Sequence, residues 1–162
     1  KTTTMIRAIL ACDQDWGIGK DGDLPWPHNP DDLKWFKEQT TGSVVAMGKR
    51  TWDSLPIKPL PNRNNVVVTS SEGDKDGPYH FVTFENAEST LASMSQLQDV
   101  WIIGGAHLLD SLLHIVDEIH LSRINGTYNC DTFLPSTRIE EMFTLTSSRP
   151  TNNIYVDIYS KV

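Results

Sequence analysis

DVWIIGGAHLLDSLLHIVDEIHLSRI, residues 99–124, decides the fold class. Val100 to Ile103 is a short β-branched and aromatic run, stopped by Gly104 and Gly105. Leu108, Leu109, Leu112 and Leu113 then recur at the helical period, and 118–124 returns to strand composition. A strand, a helix and a second strand in direct succession form a crossover unit, the connection that parallel strands require.

The same alternation extends in both directions. MIRAIL (5–10), SVVAM (43–47), NVVVT (65–69) and HFVTF (80–84) read as further strands. One helix is expected from about Pro30, carrying Leu33 and Phe36, a second after Gly48, and a third with Ala87, Leu91 and Met94 on one face. The end of the chain differs: MFTLTSS (142–148), the turn residues RPTNN and IYVDIYS (154–160) read as an antiparallel pair, with Ile154, Val156 and Ile158 alternating against Tyr155, Asp157 and Tyr159. The expected fold is therefore α/β: a single mixed, mostly parallel sheet of about eight strands, helices on both faces and an antiparallel C-terminal hairpin. One domain is expected over 5–162, with Lys1–Thr4 as a leader before Met5.

A net charge of −7 over 162 residues argues against nucleic acid or an anionic membrane as partner, and no apolar run is long enough to span a bilayer. The expected location is cytoplasmic. Cys12 and Cys130 have no metal-ligand spacing and read as free thiols, and the five histidines form no metal pattern.

Ligands of parallel sheets bind beyond the carboxyl ends of the strands. Three such junctions are readable: AMGKRT (46–51), VTSSEG (68–73) and IIGGAH (102–107). There is no GxGxxG after the first strand and no P-loop, but the Gly104–Gly105 pair lets a ligand approach backbone N–H groups, and Lys49, Arg50, Thr69, Ser70 and Ser71 would suit phosphate. The long connection 13–29, with glycines at 17, 19 and 22, reads as a static loop or as a lid over a site. Asn29, Pro30, Asp31 and Asp32 form a helix start in which the two aspartates either serve the helix dipole or leave one carboxylate for a ligand beside Trp35 and Phe36.

Seven stretches in order (Ala11 at the end of the first strand, DWGIGKDGDLPW, DDLKWFKEQT, VVAMGKRTWDSL, PLPNRNNVVVTSS, WIIGGAHLL and DTFLP) resemble the chromosomal-type, NADPH-dependent dihydrofolate reductase family. The resemblance implies that Asp32 is the catalytic carboxylate that holds the pterin of dihydrofolate, while Asp31 keeps the helix-start role. It implies a substrate slot of Ile9, Leu10, Ala11, Leu33, Phe36, Leu55, Leu60 and Ile103, with Lys58 near its mouth and Arg63 on the substrate's glutamate carboxylate. Ser122 would link to Asp32 through water. NADPH would be bound by Ala11, Ile18, Gly48, Lys49, Arg50, Thr51, Thr69, Ser70, Ser71, Gly104, Gly105 and Ala106, with a cis peptide between the two glycines, a form rare outside proline. The implied protein is a monomer that reduces 7,8-dihydrofolate and takes antifolate inhibitors. Alternatives are a related NADPH-dependent pyrimidine reductase of riboflavin synthesis and a noncatalytic protein retaining the fold. Leu24, Leu109, the extra residue within Pro27–Asn29 and the insertion of Pro56 and Ile57 depart from the family pattern.

Overall fold

A computed structural model describes residues 4–21, 25–26, 29–69, 80–151 and 154–162. Eight strands form one sheet in the order β5-β4-β3-β6-β1-β7-β10-β9. They are β1 (Ile6–Cys12), β3 (Val44–Gly48), β4 (Asn64–Thr69), β5 (His80–Thr83), β6 (Val100–Gly104), β7 (Glu118–Arg123), β9 (Phe143–Thr151) and β10 (Ile154–Lys161). Between them lie α1 (Pro30–Thr40), α2 (Lys49–Ser54), α3 (Phe84–Met94), α4 (Ala106–Leu112) with a 3₁₀ turn at Leu113–Ile115, and α5 (Ser136–Met142). Each strand lies close to its sequence-based position, because its apolar run is bounded by turn residues. Of the expected leader only Thr4 is described; its hydroxyl donates to the Ser95 carbonyl.

The chain divides into two units. One comprises Lys1–Ala8 and Thr40–Asp117. Its pairings β3–β4, β4–β5, β3–β6 and β1–β6 are all parallel. Val44–Met47, Val66–Val68, Val100 and Ile102 are all fully buried, as expected of strands covered on both faces. Each such aliphatic side chain contributes about 1.5–3 kcal/mol by leaving water. Leu91 of α3 and Leu108, Leu109 and Leu112 of α4 complete this core.

The other unit comprises Ile9–Gln39 and Glu118–Val162. Here β7, β10 and β9 pair antiparallel, with Tyr155 opposite Arg123 and Asp157 opposite Leu121. Its apolar cluster is Trp26, Ile124, Ile154 and Val156, with Ala11, Trp35, Tyr128 and Ile158 against it.

Two features were not expected. The first half of the 13–29 connection contains β2 (Gly17–Gly19), paired antiparallel with β8 (Thr132–Phe133) in a separate ribbon. Three residues reading Gly-Ile-Gly have no alternation to detect, and backbone hydrogen bonds alone define them. The helix α5 buries only Ile139, so it has no periodic apolar face to read. Cys12 and Cys130 are free thiols. Among the described residues, no helix is long and apolar enough to cross a membrane.

Candidate active site

The helix α1 begins as local chemistry requires. Asn29 Oδ1 accepts the Asp32 N–H at 3.1 Å and the Asn29 carbonyl accepts the Leu33 N–H at 3.2 Å, with Pro30 at the first helical position. Both aspartates fall in the first turn, and the Asp32 carboxylate has the Ser122 hydroxyl of β7 as a polar neighbour. Burial pushes the Asp32 pKa above the usual carboxylate range, and the Ser122 hydrogen bond offsets part of that rise. An acid held in this way offers two acceptor oxygens in a setting of weakened screening, suited to a flat ligand edge carrying two N–H groups.

The apolar residues expected near Asp32 in this unit have mixed exposure. Ile9 is buried, Leu10, Ala11 and Phe36 are half-buried, and Leu33 is 49% exposed. An apolar side chain left open beside a half-buried carboxylate is a surface for a ligand ring rather than for the core. Trp35 adds a buried Nε1 donor without a hydrogen-bond partner, a group that water or a ligand fills in most proteins.

The approach to β2 is built around Asp13, which is 1% exposed. Its Oδ1 accepts the N–H groups of Asp15 at 2.9 Å and Gly17 at 2.8 Å; its Oδ2 accepts the Tyr128 N–H at 3.1 Å and the Cys130 thiol at 3.4 Å. Gly19 O accepts the Asp131 N–H at 2.9 Å, and Asp131 Oδ2 accepts the Asp21 N–H at 2.8 Å. Ile18 is half-buried on this anchored segment. A Cβ on Gly17 would come within 2.5 Å of Cys130 Cβ and closer still to its sulfur, so only glycine fits there.

In the unit of parallel strands, Gly48 ends β3 and Gly105 follows β6; they are the N-caps of α2 and α4, and no side chain caps either helix. The Gly104–Gly105 peptide is cis, as the resemblance implied, and Gly104 has φ +128°, a region open to glycine. A Cβ on Gly48 would stand 3.9 Å from Gly104 O and Gly105 N, and one on Gly105 would stand 3.9 Å from Thr51 Oγ1. Gly48, Thr51, Gly104 and Gly105 thus converge, with Ala106 next along the chain, on an open cradle of uncapped backbone N–H groups. This chemistry fits a phosphate-bearing nucleotide. Arg50 is exposed at the same helix start. Lys49, also exposed, is held by Asp53 at 2.7 Å, so its charge is partly spent within α2. Thr69 is buried at the end of β4. Ser70 and Ser71, expected beside it, lie outside the described residues, as do Leu24, Pro27 and His28.

Arg63 sits on a preformed loop in this unit. Its Nε donates to Pro61 O at 2.9 Å and its Nη1 to Thr40 Oγ1 at 3.0 Å, while burial lowers its pKa without discharging it. The loop is shaped by Asn65, fully buried, which accepts the Leu60 N–H at 2.9 Å and donates to Leu60 O and Arg63 O. Lys58 is exposed, with its ammonium 5.8 Å from the Trp52 ring; Leu55, Leu60 and Ile103 are half-buried. Asp13 and Asn65 were missed by sequence reasoning. The available signal was a polar residue abutting a run of buried strand residues, CD after β1 and NN before VVV.

A family model described as "Dihydrofolate reductase" matches residues 5–158. Among curated proteins, the chain is 37% identical over 132 residues to the dihydrofolate reductase of Bacillus subtilis (strain 168), covering 81% of this chain and 76% of that one. It is 36% identical over 152 residues to the bifunctional dihydrofolate reductase-thymidylate synthase of Glycine max, covering 80% of this chain and 28% of that one. The chain spans little more than a quarter of the length of the plant relatives it matches. A solved structure of the Enterococcus faecalis dihydrofolate reductase complexed with NADP(H) and RAB-propyl superposes with a TM-score of 0.82 at 29% identity, covering 97% of this chain and 96% of that one.

Proposed function

The chain belongs to the dihydrofolate reductase family, and on that premise we propose that it reduces 7,8-dihydrofolate to 5,6,7,8-tetrahydrofolate with NADPH as hydride donor. The observation that carries this reading is a sheltered carboxylate, Asp32, at the start of α1 with the Ser122 hydroxyl as its polar neighbour. Asp32 accepts two hydrogen bonds from the amino group and ring nitrogen of the pterin, which fixes the ring and raises the basicity of the nitrogen to be protonated. NADPH supplies the hydride. Gly48, Arg50, Thr51, Gly104, Gly105 and Ala106 hold its phosphates and ribose, with Lys49, Thr69, Ser70 and Ser71 assisting, and Ala11 and Ile18 meet its nicotinamide.

Ile9, Leu10, Leu33, Phe36, Leu55, Leu60 and Ile103 cover the pterin and benzoyl rings and exclude bulk water. Arg63 grips the glutamate carboxylate, with Lys58 adding positive charge near it. The proton reaches the ring nitrogen from water admitted beside the Ile18 segment, not from Asp32 itself. The protein acts as a cytoplasmic monomer and takes antifolates in the same place as dihydrofolate.

The test follows NADPH absorbance with dihydrofolate, with and without methotrexate. Asp32→Asn should slow hydride transfer at neutral pH by roughly a hundred-fold or more while NADPH binding stays within about two-fold of the parent. Unchanged turnover would refute the role of Asp32, and an inactive parent protein would refute the reaction.

A further inference from the structure

Trp16 precedes β2 with φ +68°, a left-handed conformation costly to a bulky L-residue. Such a geometry persists only where its surroundings impose it. Trp16 N donates to Asp13 O at 3.2 Å, and Trp16 O accepts the Leu134 N–H at 3.0 Å. The indole is also clamped. The Arg123 guanidinium lies 4.1 Å from the ring centroid, and the Tyr159 ring lies 5.7 Å away at 48°.

Arg123 is itself immobilised. Nε donates to Asp157 Oδ2 at 3.1 Å, Nη2 to the Tyr159 phenolic oxygen Oη at 3.0 Å and Nη1 to Cys12 Sγ at 3.5 Å. In-plane hydrogen bonding thus occupies all three nitrogens, and the flat face is left for Trp16. The Arg123 side chain is only 15% exposed, which strengthens its attraction to the ring.

Packing alone does not account for this clamp. Trp16 is half-buried and rims an open cavity of roughly 370 Å³ with Gln14, Arg123, Glu140, Tyr155 and Asp157, instead of filling the apolar cluster around Trp26. What the clamp fixes is the chain direction into Gly17–Gly19, and hence Ile18. Arg123 also follows Ser122 on β7, so strand alternation sends one side chain to Asp32 and the other to Trp16.

We propose that Arg123 is a positioning residue for hydride transfer, acting through Trp16 to set the path of the Ile18 segment. This rests on the reading of the chain as an NADPH-dependent dihydrofolate reductase. Neither residue touches a reacting atom; the clamp determines how often the segment adopts the reactive arrangement.

The experiment measures single-turnover hydride transfer with NADPH and with its deuterated form, per active site titrated with methotrexate. Trp16→Ala and Arg123→Lys should each transfer hydride about ten-fold more slowly, because lysine keeps the charge but not the flat face. Trp16→Phe, which retains a ring, should fall within about three-fold of the parent, and the KM for dihydrofolate should be unchanged in all three. A purely structural role would lower melting temperature and the number of titrated sites but leave the rate per site intact. That result overturns the proposal. If Trp16→Ala does not fold, Trp16→Phe and Arg123→Lys decide by whether the rate per site follows the ring–cation contact. An inactive parent refutes the reaction and the clamp's role together, whereas an active parent with unaffected variants refutes only the clamp's role.

Discussion

Asp13→Asn tests the anchoring of the β2 segment most directly. The carboxylate receives four donors, two on each oxygen. The substituted amide has one acceptor oxygen and an NH₂. In its better orientation the oxygen stays with Asp15 and Gly17, and the NH₂ then faces the Tyr128 N–H and the Cys130 thiol, donor against donor. One charge-assisted N–H bond of about 1.5–3 kcal/mol is lost, a buried donor is left open, and the two surviving bonds lose their charge assistance, for a total of about 3–4 kcal/mol. In a protein of this size, this corresponds to a fall in Tm of roughly 10 °C. The measurement is equilibrium urea denaturation at neutral pH, with a calorimetric melt beside it.

The pH dependence supplies a second check. Burial alone would raise the Asp13 pKa; the N–H groups of Gly17, Tyr128 and Asp15 and the Cys130 thiol outweigh it and hold the acid below its usual 3.8. A depressed folded pKa contributes stability above the unfolded value and loses it as pH falls through the folded one. The gap between parent and variant should therefore be flat from neutral pH down to about 5 and narrow below about 4. A loss under about 0.5 kcal/mol at neutral pH, or a gap that widens on acidification, refutes the account of Asp13 as the anchor.

Three further outcomes follow from the same geometry. Asp32 has the opposite sign: burial raises its folded pKa, so its effect on stability is favourable only at low pH and is lost as pH rises through that value; Asp32→Asn should melt no lower than the parent at neutral pH, and a clearly lower melt counts against the burial argument. Gly17→Ala drives a methyl into Cys130 and should cost about 2 kcal/mol or more by urea denaturation; adding Cys130→Gly should restore most of it and Cys130→Ser should not, because Cys130 Cβ also stands within 2.5 Å. Arg63→Lys should raise the KM for dihydrofolate about ten-fold through loss of the two-pronged hold, with little change for a pteridine substrate that lacks the glutamate; equal effects on both would remove Arg63 from the tail.

Sequence patterning located all eight strands of the main sheet because Val- and Ile-rich runs such as 44–47 and 66–68 are buried on both faces and bounded by polar turns. The glycine junction at 104–105 was legible for a related reason: a glycine pair directly after a buried run marks close backbone approach. Asp13 and Asn65 were not legible, because a polar residue at a strand end reads as a turn former and nothing local shows that four donors converge on it. The β2–β8 ribbon was hidden likewise. Its partners lie at 17–19 and 132–133, and no short-range pattern connects them. The proximity of Ser122 to Asp32 belongs to this class too, since α1 and β7 are far apart in the chain.

The C-terminal hairpin shows why alternation can be read correctly and still mislead. Ile154 and Val156 point to one side of β10 and join the Trp26 cluster; Tyr155, Asp157 and Tyr159 point to the other. Tyrosine and aspartate on an alternating strand ordinarily denote a solvent face. Here Tyr159 is 8% exposed and Asp157 is closed over by Arg123, because β7 presents an arginine opposite Tyr155 and the polar groups of the two strands satisfy each other under Trp16. Removing either charge would leave the other sheltered without its partner, which is costly, so this face tolerates paired changes better than single ones. Period-two geometry thus makes β7 serve two ends at once: Ser122, on the Val156 side, lies by the Asp32 carboxylate, while Arg123, on the Tyr155 side, packs on the Trp16 ring. A one-residue slip of β7 against β10 would exchange these two side chains and disable both, which makes the register of this pair as much a part of the site as the residues themselves.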